Sequence, residues 1–237
     1  MVNVLEIKKL RGGYIPQLEI LQGIDLLLEK GDVVGIIGLN GCGKSTLGKA
    51  VMNMIPIREG EIFYKGEDVA GLSTTMLARK GISIMQQGGQ VFTTMSVWDN
   101  LQLAFGKSPD AEYMAELKKI VPLLALPENE LKRKMADKLS GGQRHQLALA
   151  MTLASRPKLV ILDEPSAGLS PRAVEEMYGI LDKLRSELGL TILLIEQNIA
   201  RALEFCSRSY LLVQGKIAHE FKDDDILEVE KIMFNKR

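Results

Sequence analysis

The sequence predicts an α/β fold: a parallel sheet with helices, an antiparallel β portion near the N-terminus, and an inserted helical subdomain. Three observations carry that expectation. The apolar runs are short, β-branched and separated by helical patterns. Glycine-centred turn signals join neighbouring runs in hairpin fashion. Between Ser96 and Pro157 the strand signals vanish and only helical patterns remain.

Taken in order, the expected strands are Val4 to Leu10, Ile24 to Leu28, Val33 to Ile37, Ile62 to Tyr64, Ile82 to Met85, Leu159 to Leu162, Thr191 to Ile195 and Tyr210 to Val213. The expected hairpin turns are Lys30-Gly31-Asp32, Arg58-Glu59-Gly60, Lys65-Gly66-Glu67 and Gln214-Gly215-Lys216. Runs apolar throughout belong in a parallel sheet covered on both faces. Helical patterns occupy Ser45 to Met54, Val97 to Phe105, Ala111 to Leu126, Asn129 to Ala136 and Gly141 to Ser155. This divides the chain into an α/β core, 1–92 and 156–237, and a helical part, 93–155, within a single domain. Asp223-Asp224-Asp225 reads as a solvated helix start.

Composition narrows the function classes. The 237 residues carry 30 basic and 30 acidic side chains, so no net field is available to hold nucleic acid. Two histidines and two cysteines argue against a structural zinc site or a disulfide framework. No apolar run approaches the ~20 residues of a membrane span, and the N-terminus lacks the apolar stretch of a signal peptide. The expectation is a cytosolic chain without direct membrane insertion, whose membrane role would come through a partner.

Gly38-Leu39-Asn40-Gly41-Cys42-Gly43-Lys44-Ser45 matches G-x-x-x-x-G-K-[ST], between an apolar strand and a helical stretch that continues through Thr46. Glycines let successive backbone N–H groups face one concavity at a helix N-terminus, which favours a phosphate. Lys44 adds a charge for the β- and γ-phosphates of a nucleotide, and Ser45 a hydroxyl for Mg²⁺. The motif marks a P-loop NTPase core. Cys42 lies inside the loop, where N–H groups and the helix dipole should favour its thiolate.

Leu159 to Leu162 is a buried strand that runs into Asp163 and Glu164. Strand C-termini face the ligand crevice of such sheets. Asp163 can hold Mg²⁺ through water, and Glu164 is placed to polarise an attacking water. Leu139-Ser140-Gly141-Gly142-Gln143 reads as a capping box, Ser140 with Gln143, opening a helix. Its glycines expose N–H groups at a second anion site. One phosphate loop already holds a triphosphate, so a second site suggests two chains sharing nucleotides.

With these three segments in this order, the sequence resembles the ATP-binding subunits of ABC transporters over essentially its whole length. The resemblance implies two ATP molecules between head-to-tail subunits, each held by one phosphate loop and the opposing signature, Ser140, Gly141, Gly142 and Gln143. It implies Glu164 as general base, Asp163 as the magnesium aspartate, and Gln87 as the residue touching Mg²⁺ or the attacking water, with Gln86 as its rival. Tyr14 matches the aromatic that stacks on adenine, if the loop after it is one residue longer than usual. Gln197 stands where the family usually has a switch histidine, and Ser170 where it has an aspartate. An amide at Gln197 can donate a hydrogen bond to a γ-phosphate but carries no charge.

Those two substitutions look like the subgroup that powers branched-chain amino-acid import, although Gln86-Gln87 departs from its common Pro-Glu. The implied partners are permease subunits in the membrane and a second ATPase subunit, identical or related. The chain would sit peripherally at the inner face of the cell membrane. Export of a lipid or other substrate, and ABC-type ATPases acting on nucleic acid or ribosomes, are the alternatives.

Overall fold

The computed structural model describes residues 3–15, 17–106, 124 and 126–222. A four-stranded antiparallel sheet is built from β1 (Asn3–Gly12), β2 (Leu21–Glu29), β4 (Ile57–Tyr64) and β5 (Glu67–Asp68), in the order β2-β1-β4-β5. A six-stranded sheet has the order β10-β9-β3-β8-β7-β6. Its strands are β3 (Val33–Ile37), β6 (Ile82–Met85), β7 (Leu159–Asp163), β8 (Thr191–Glu196), β9 (Arg208–Val213) and β10 (Lys216–Lys222). All neighbours in it are parallel except the edge pair β9–β10.

Every residue of β3, β7 and β8 is buried, as continuous apolar runs in a doubly covered sheet should be. The core lies in two large clusters. One fills the space between the two sheets and includes Leu47, Ala50 and Val51 of α1 (Lys44–Val51). The other lies under α3 (Val97–Phe105), α4 (Gly141–Leu153) and α5 (Pro171–Leu188). Each fully buried Leu or Ile in them contributes ~1.5–3 kcal/mol of transfer free energy. Two shorter helices, α2 (Thr74–Lys80) and α6 (Ile199–Phe205), follow β5 and β8.

The register matters for chemistry. Ile37 pairs with Glu196, Asp163 with Ile195, and Met85 with Leu162, so β3, β6, β7 and β8 end at one level. The residues that come next, Gly38, Gln86-Gln87, Glu164 and Gln197, therefore emerge on one edge of the sheet.

Three expectations need correction, and two lie largely or wholly outside the described residues. Lys30-Gly31-Asp32 is no hairpin: it carries the chain from β2 in one sheet to β3 in the other, with the Asp32 carboxylate accepting from the Glu29 N–H at 2.9 Å. Arg58-Glu59-Gly60 is not a turn but part of β4, where the register against β1 shifts between Lys8 and Arg11. Gly60 there has φ +92°, and a Cβ would stand 2.5 Å from the Lys8 carbonyl, so the glycine marks a bulge.

The stretch 129–136 forms no α-helix beyond single turns at Glu128–Glu130 and Ala136–Lys138. Its carbonyls are used elsewhere: Leu131 O and Lys134 O accept from the N–H groups of Trp98 and Val97, the donors that a helix start leaves unpaired. The expected helix 111–126, apart from Leu124 and Leu126, and the acidic run 223–225 lie outside the described residues.

Candidate active site

Between β3 and α1 the chain Gly38–Gly43 curls around a cavity of about 620 Å³. Asn40, Gly41, Cys42, Gly43, Lys44, Ser45 and Thr46 line it on one side, with Gln87 and Glu164 facing them. Leu18, Glu19, Ile20 and Gln22, together with Gln214 and Gly215, complete the rim. Gly38 lies at the root of the loop, packed so closely on β9 that a Cβ would stand 2.4 Å from the Leu212 carbonyl.

Lys44 is almost fully buried and folded back on its own loop. Its ammonium donates to the carbonyls of Gly38 at 2.9 Å and Leu39 at 3.2 Å, and lies 3.8 Å from Glu164 Oε1. Ser45 Oγ donates to Asp163 Oδ1 at 2.9 Å, joining the loop to the end of β7. Gln87 Nε2 donates to Glu164 Oε2 at 2.7 Å. Gln86 lines a different cavity with Gln90 and Phe92, so the geometry puts Gln87 rather than its rival beside the carboxylate pair.

Both acids are buried, and burial pushes both carboxyls above their ordinary range. For Asp163 the hydrogen bond from Ser45 and the charges of Lys49 and Lys44 oppose that push; for Glu164 the charge of Lys44 does. Glu164 also holds φ 48°, left-handed for a residue with a side chain. Its N–H donates to Ile195 O at 2.9 Å, which fixes that geometry at the sheet edge. Strain of this kind gathers at sites where the surrounding structure over-determines it.

Cys42 departs from expectation. Its thiol is pushed up rather than down, because burial outweighs the charge of Lys44 and the backbone N–H bonds. It still lines the cavity. Maleimide labelling of Cys42, followed by peptide mapping, should be slow at neutral pH and slower with ATP present. Equal rates with and without ATP would mean that nucleotide does not cover the thiol.

The remaining sequence candidates are not brought into the cavity. Tyr14 is 48% exposed, its hydroxyl accepting from Lys49 Nζ at 3.5 Å, and Leu18 and Ile20 stand at the rim instead. Gln197 is exposed at the end of β8; its N–H donates to Glu196 Oε2 at 3.0 Å. Ser140 and Gln143 form the expected capping box, each N–H donating to the other's side chain at 3.2 Å. The helix they open starts at Gly141 and ends at Leu153, so both glycines belong to its first turn. None of the four signature residues lines the cavity.

Sequence reasoning missed two parts of the site. Gln214 and Gly215 were read only as a hairpin turn, yet the Gly215 N–H donates to the Cys42 carbonyl at 2.9 Å and braces the loop. Glu196, a buried carboxylate one residue beyond Ile195, stands beside the switch position Gln197 but takes no role from the sequence alone.

Known proteins resemble this chain in sequence and in fold. The family described as ABC transporter matches residues 21–167. The chain is 37% identical over 230 residues to the probable branched-chain amino acid transport ATP-binding protein LivF of Archaeoglobus fulgidus, covering 96% of each. It is 31% identical over 214 residues to the lipopolysaccharide export system ATP-binding protein LptB of Escherichia coli K12, covering 90% of this chain and 88% of LptB. Among solved structures, the ADP conformation of MJ1267, an ATP-binding cassette of an ABC transporter, superposes with a TM-score of 0.85 at 26% identity, covering 100% of this chain and 96% of that one. By the family match and the likeness to these relatives, the chain belongs to the ABC transporter family, as an ATP-binding subunit with ATPase activity.

Proposed function

We propose that this chain hydrolyses ATP to power import of branched-chain or other amino acids, as one of two ATPase subunits beneath membrane permeases. The observation that carries the hydrolytic reading is that Lys44 and Gln87 both contact Glu164, while Ser45 contacts the adjacent Asp163, at one cavity. Import draws its support from the likeness to LivF and from Gln197 at the switch position. No helix among the described residues is long and apolar enough to cross a membrane, so contact with the membrane falls to partners. The chain then acts peripherally at the inner face.

The phosphates of ATP enter the concavity of 38–46, and the Lys44 ammonium leaves its two loop carbonyls for the β- and γ-phosphate oxygens. Glu164 Oε2 is oriented by the Gln87 amide, so the carboxylate can take a proton from a water attacking in line. Gln197 donates a hydrogen bond to the γ-phosphate, and Tyr14 turns from Lys49 to stack on adenine.

The donor set fits Mg²⁺: Ser45 Oγ and Asp163 Oδ1 are two hard oxygens 2.9 Å apart, few enough to leave room for phosphate and water. Held by Ser45, Asp163 and Gln87, the ion would supply positive charge where the transferred phosphate gains negative charge.

Ser140, Gly141, Gly142 and Gln143 lie off this cavity, and the two glycines stand in the first turn of α4, where helix N–H groups lack intrahelical partners. They complete the nucleotide site of a second subunit, identical or related. Core residues 1–92 and 156–237 bind nucleotide, while the helical part, 93–155, carries the signature and passes closure to the permeases.

Export is the second reading, favoured by the likeness to LptB. Uptake of labelled leucine by cells relying on this chain should fall to background with Lys44→Ala. Normal uptake together with a defect in exported envelope lipid would replace import by export.

A further inference from the structure

Glu196 is 2% exposed at the end of β8, and all its named donors are neutral. Oε1 accepts from the hydroxyls of Ser166 and, at 3.0 Å, Tyr178. Oε2 accepts from the backbone N–H of Gln197 at 3.0 Å and of Asn198 at 3.2 Å. Four donors on one carboxylate satisfy it, but a desolvated charge beside Asp163 and Glu164 is a costly way to end a strand. A hydroxyl or an apolar residue would end β8 at lower cost. The charge therefore calls for a purpose beyond packing.

The donors show what it holds. Ser166 is two residues past Glu164, at the head of the loop that leads to Ser170, the N-cap of α5. Gln197 and Asn198 form the loop beyond β8, with Asn198 capping α6. Tyr178 is buried in α5. One side chain thus gathers the loop after the base, the loop of the switch amide and the helix behind both. The Glu164 N–H to Ile195 O bond adds a second tie between the same two strand ends.

We propose that Glu196 is a positioning residue for ATP hydrolysis, a buried latch that makes the loop after Glu164 and the loop bearing Gln197 move as one body. The inference rests on the hydrolytic reading above, in which Glu164 and Gln197 face the γ-phosphate from these loops. ATP is held chiefly through residues 38–46, to which the latch makes no hydrogen bond.

The full chain with Glu196→Gln, Ser166→Ala and both together tests it by steady-state hydrolysis, equilibrium ATP binding and thermal unfolding. Gln can keep one acceptor oxygen but must turn an NH₂ toward one pair of donors. Its kcat should fall about 10-fold or more, as misplacement of catalytic groups does, with ATP affinity within about twofold. Ser166→Ala should lower kcat in the same direction by less. The double variant should be no worse than Glu196→Gln, because both changes open one latch.

Wild-type kcat in folded Glu196→Gln, or fold losses that multiply in the double variant, would overturn the latch. If Glu196→Gln does not fold, Ser166→Ala decides alone, and wild-type kcat there overturns it. Glu164→Gln run alongside separates the two levels: wild-type turnover in that variant sinks the hydrolytic reading itself.

Discussion

Glu164→Gln is expected to lower ATP turnover by about 10²–10⁴-fold, the usual contribution of a positioned general base, while ATP still binds. Gln keeps the length and the backbone tolerance of Glu at φ 48°, so the fold should survive. It cannot take a proton, and the Gln87 amide loses a charged acceptor at 2.7 Å. A nucleotide that bridges two subunits and is not hydrolysed holds them together. Gel filtration with ATP should therefore show a stable dimer for the variant and a transient one for the native chain.

The same residue sets an expected pH dependence. Burial raises the Glu164 carboxyl, so its base form is lost at a higher pH than for an ordinary carboxylate as the medium is acidified. Turnover should fall away above the range near pH 4.3 where a free Glu titrates, and that limb should be missing from the residual activity of Glu164→Gln. An acid limb unchanged in the variant would assign it to another group.

Lys44→Ala has the second large effect, and it falls on binding. The ammonium is buried and pre-placed by two carbonyls, so a phosphate receives it already desolvated. Truncating one partner of a buried charge pair costs ~2–5 kcal/mol, a loss of about 30-fold or more in affinity. The variant also removes the ammonium that stands 3.8 Å from Glu164 Oε1, so this carboxylate repels the triphosphate more strongly. Calorimetric titration with ATP should give no measurable heat at concentrations that saturate the native chain. Native affinity in the variant would mean that the phosphates lie elsewhere.

Much of this was readable in advance, for physical reasons that differ by region. The parallel strands are legible because a doubly covered strand has to be apolar throughout, and β3 and β7 begin where their runs begin. The phosphate loop and the carboxylate pair are legible because their spacing is dictated by a ligand. The bulge at Gly60 was not, since a glycine in a turn and a glycine in a bulge look alike without the partner strand. Residues 129–136 misled because their helical period competes with a tertiary use of their carbonyls at the start of α3. Glu196 stayed hidden because a carboxylate at a strand end reads as solvated; only Ser166 and Tyr178, 30 and 18 residues away, reveal its burial.

The brace at the hairpin tip has a consequence on the time axis. Gly215 N–H bonds to Cys42 O, and Gln22 N–H bonds to Gly215 O, so the tip of the β9–β10 hairpin ties β2 to the phosphate loop through backbone bonds. The hairpin tip cannot leave without unpairing from both neighbours. Amide hydrogens at 22 and 215 should exchange with solvent together and slowly, in step with the core strands rather than with surface turns. A loop rich in glycine is thereby kept at rest before its ligand arrives.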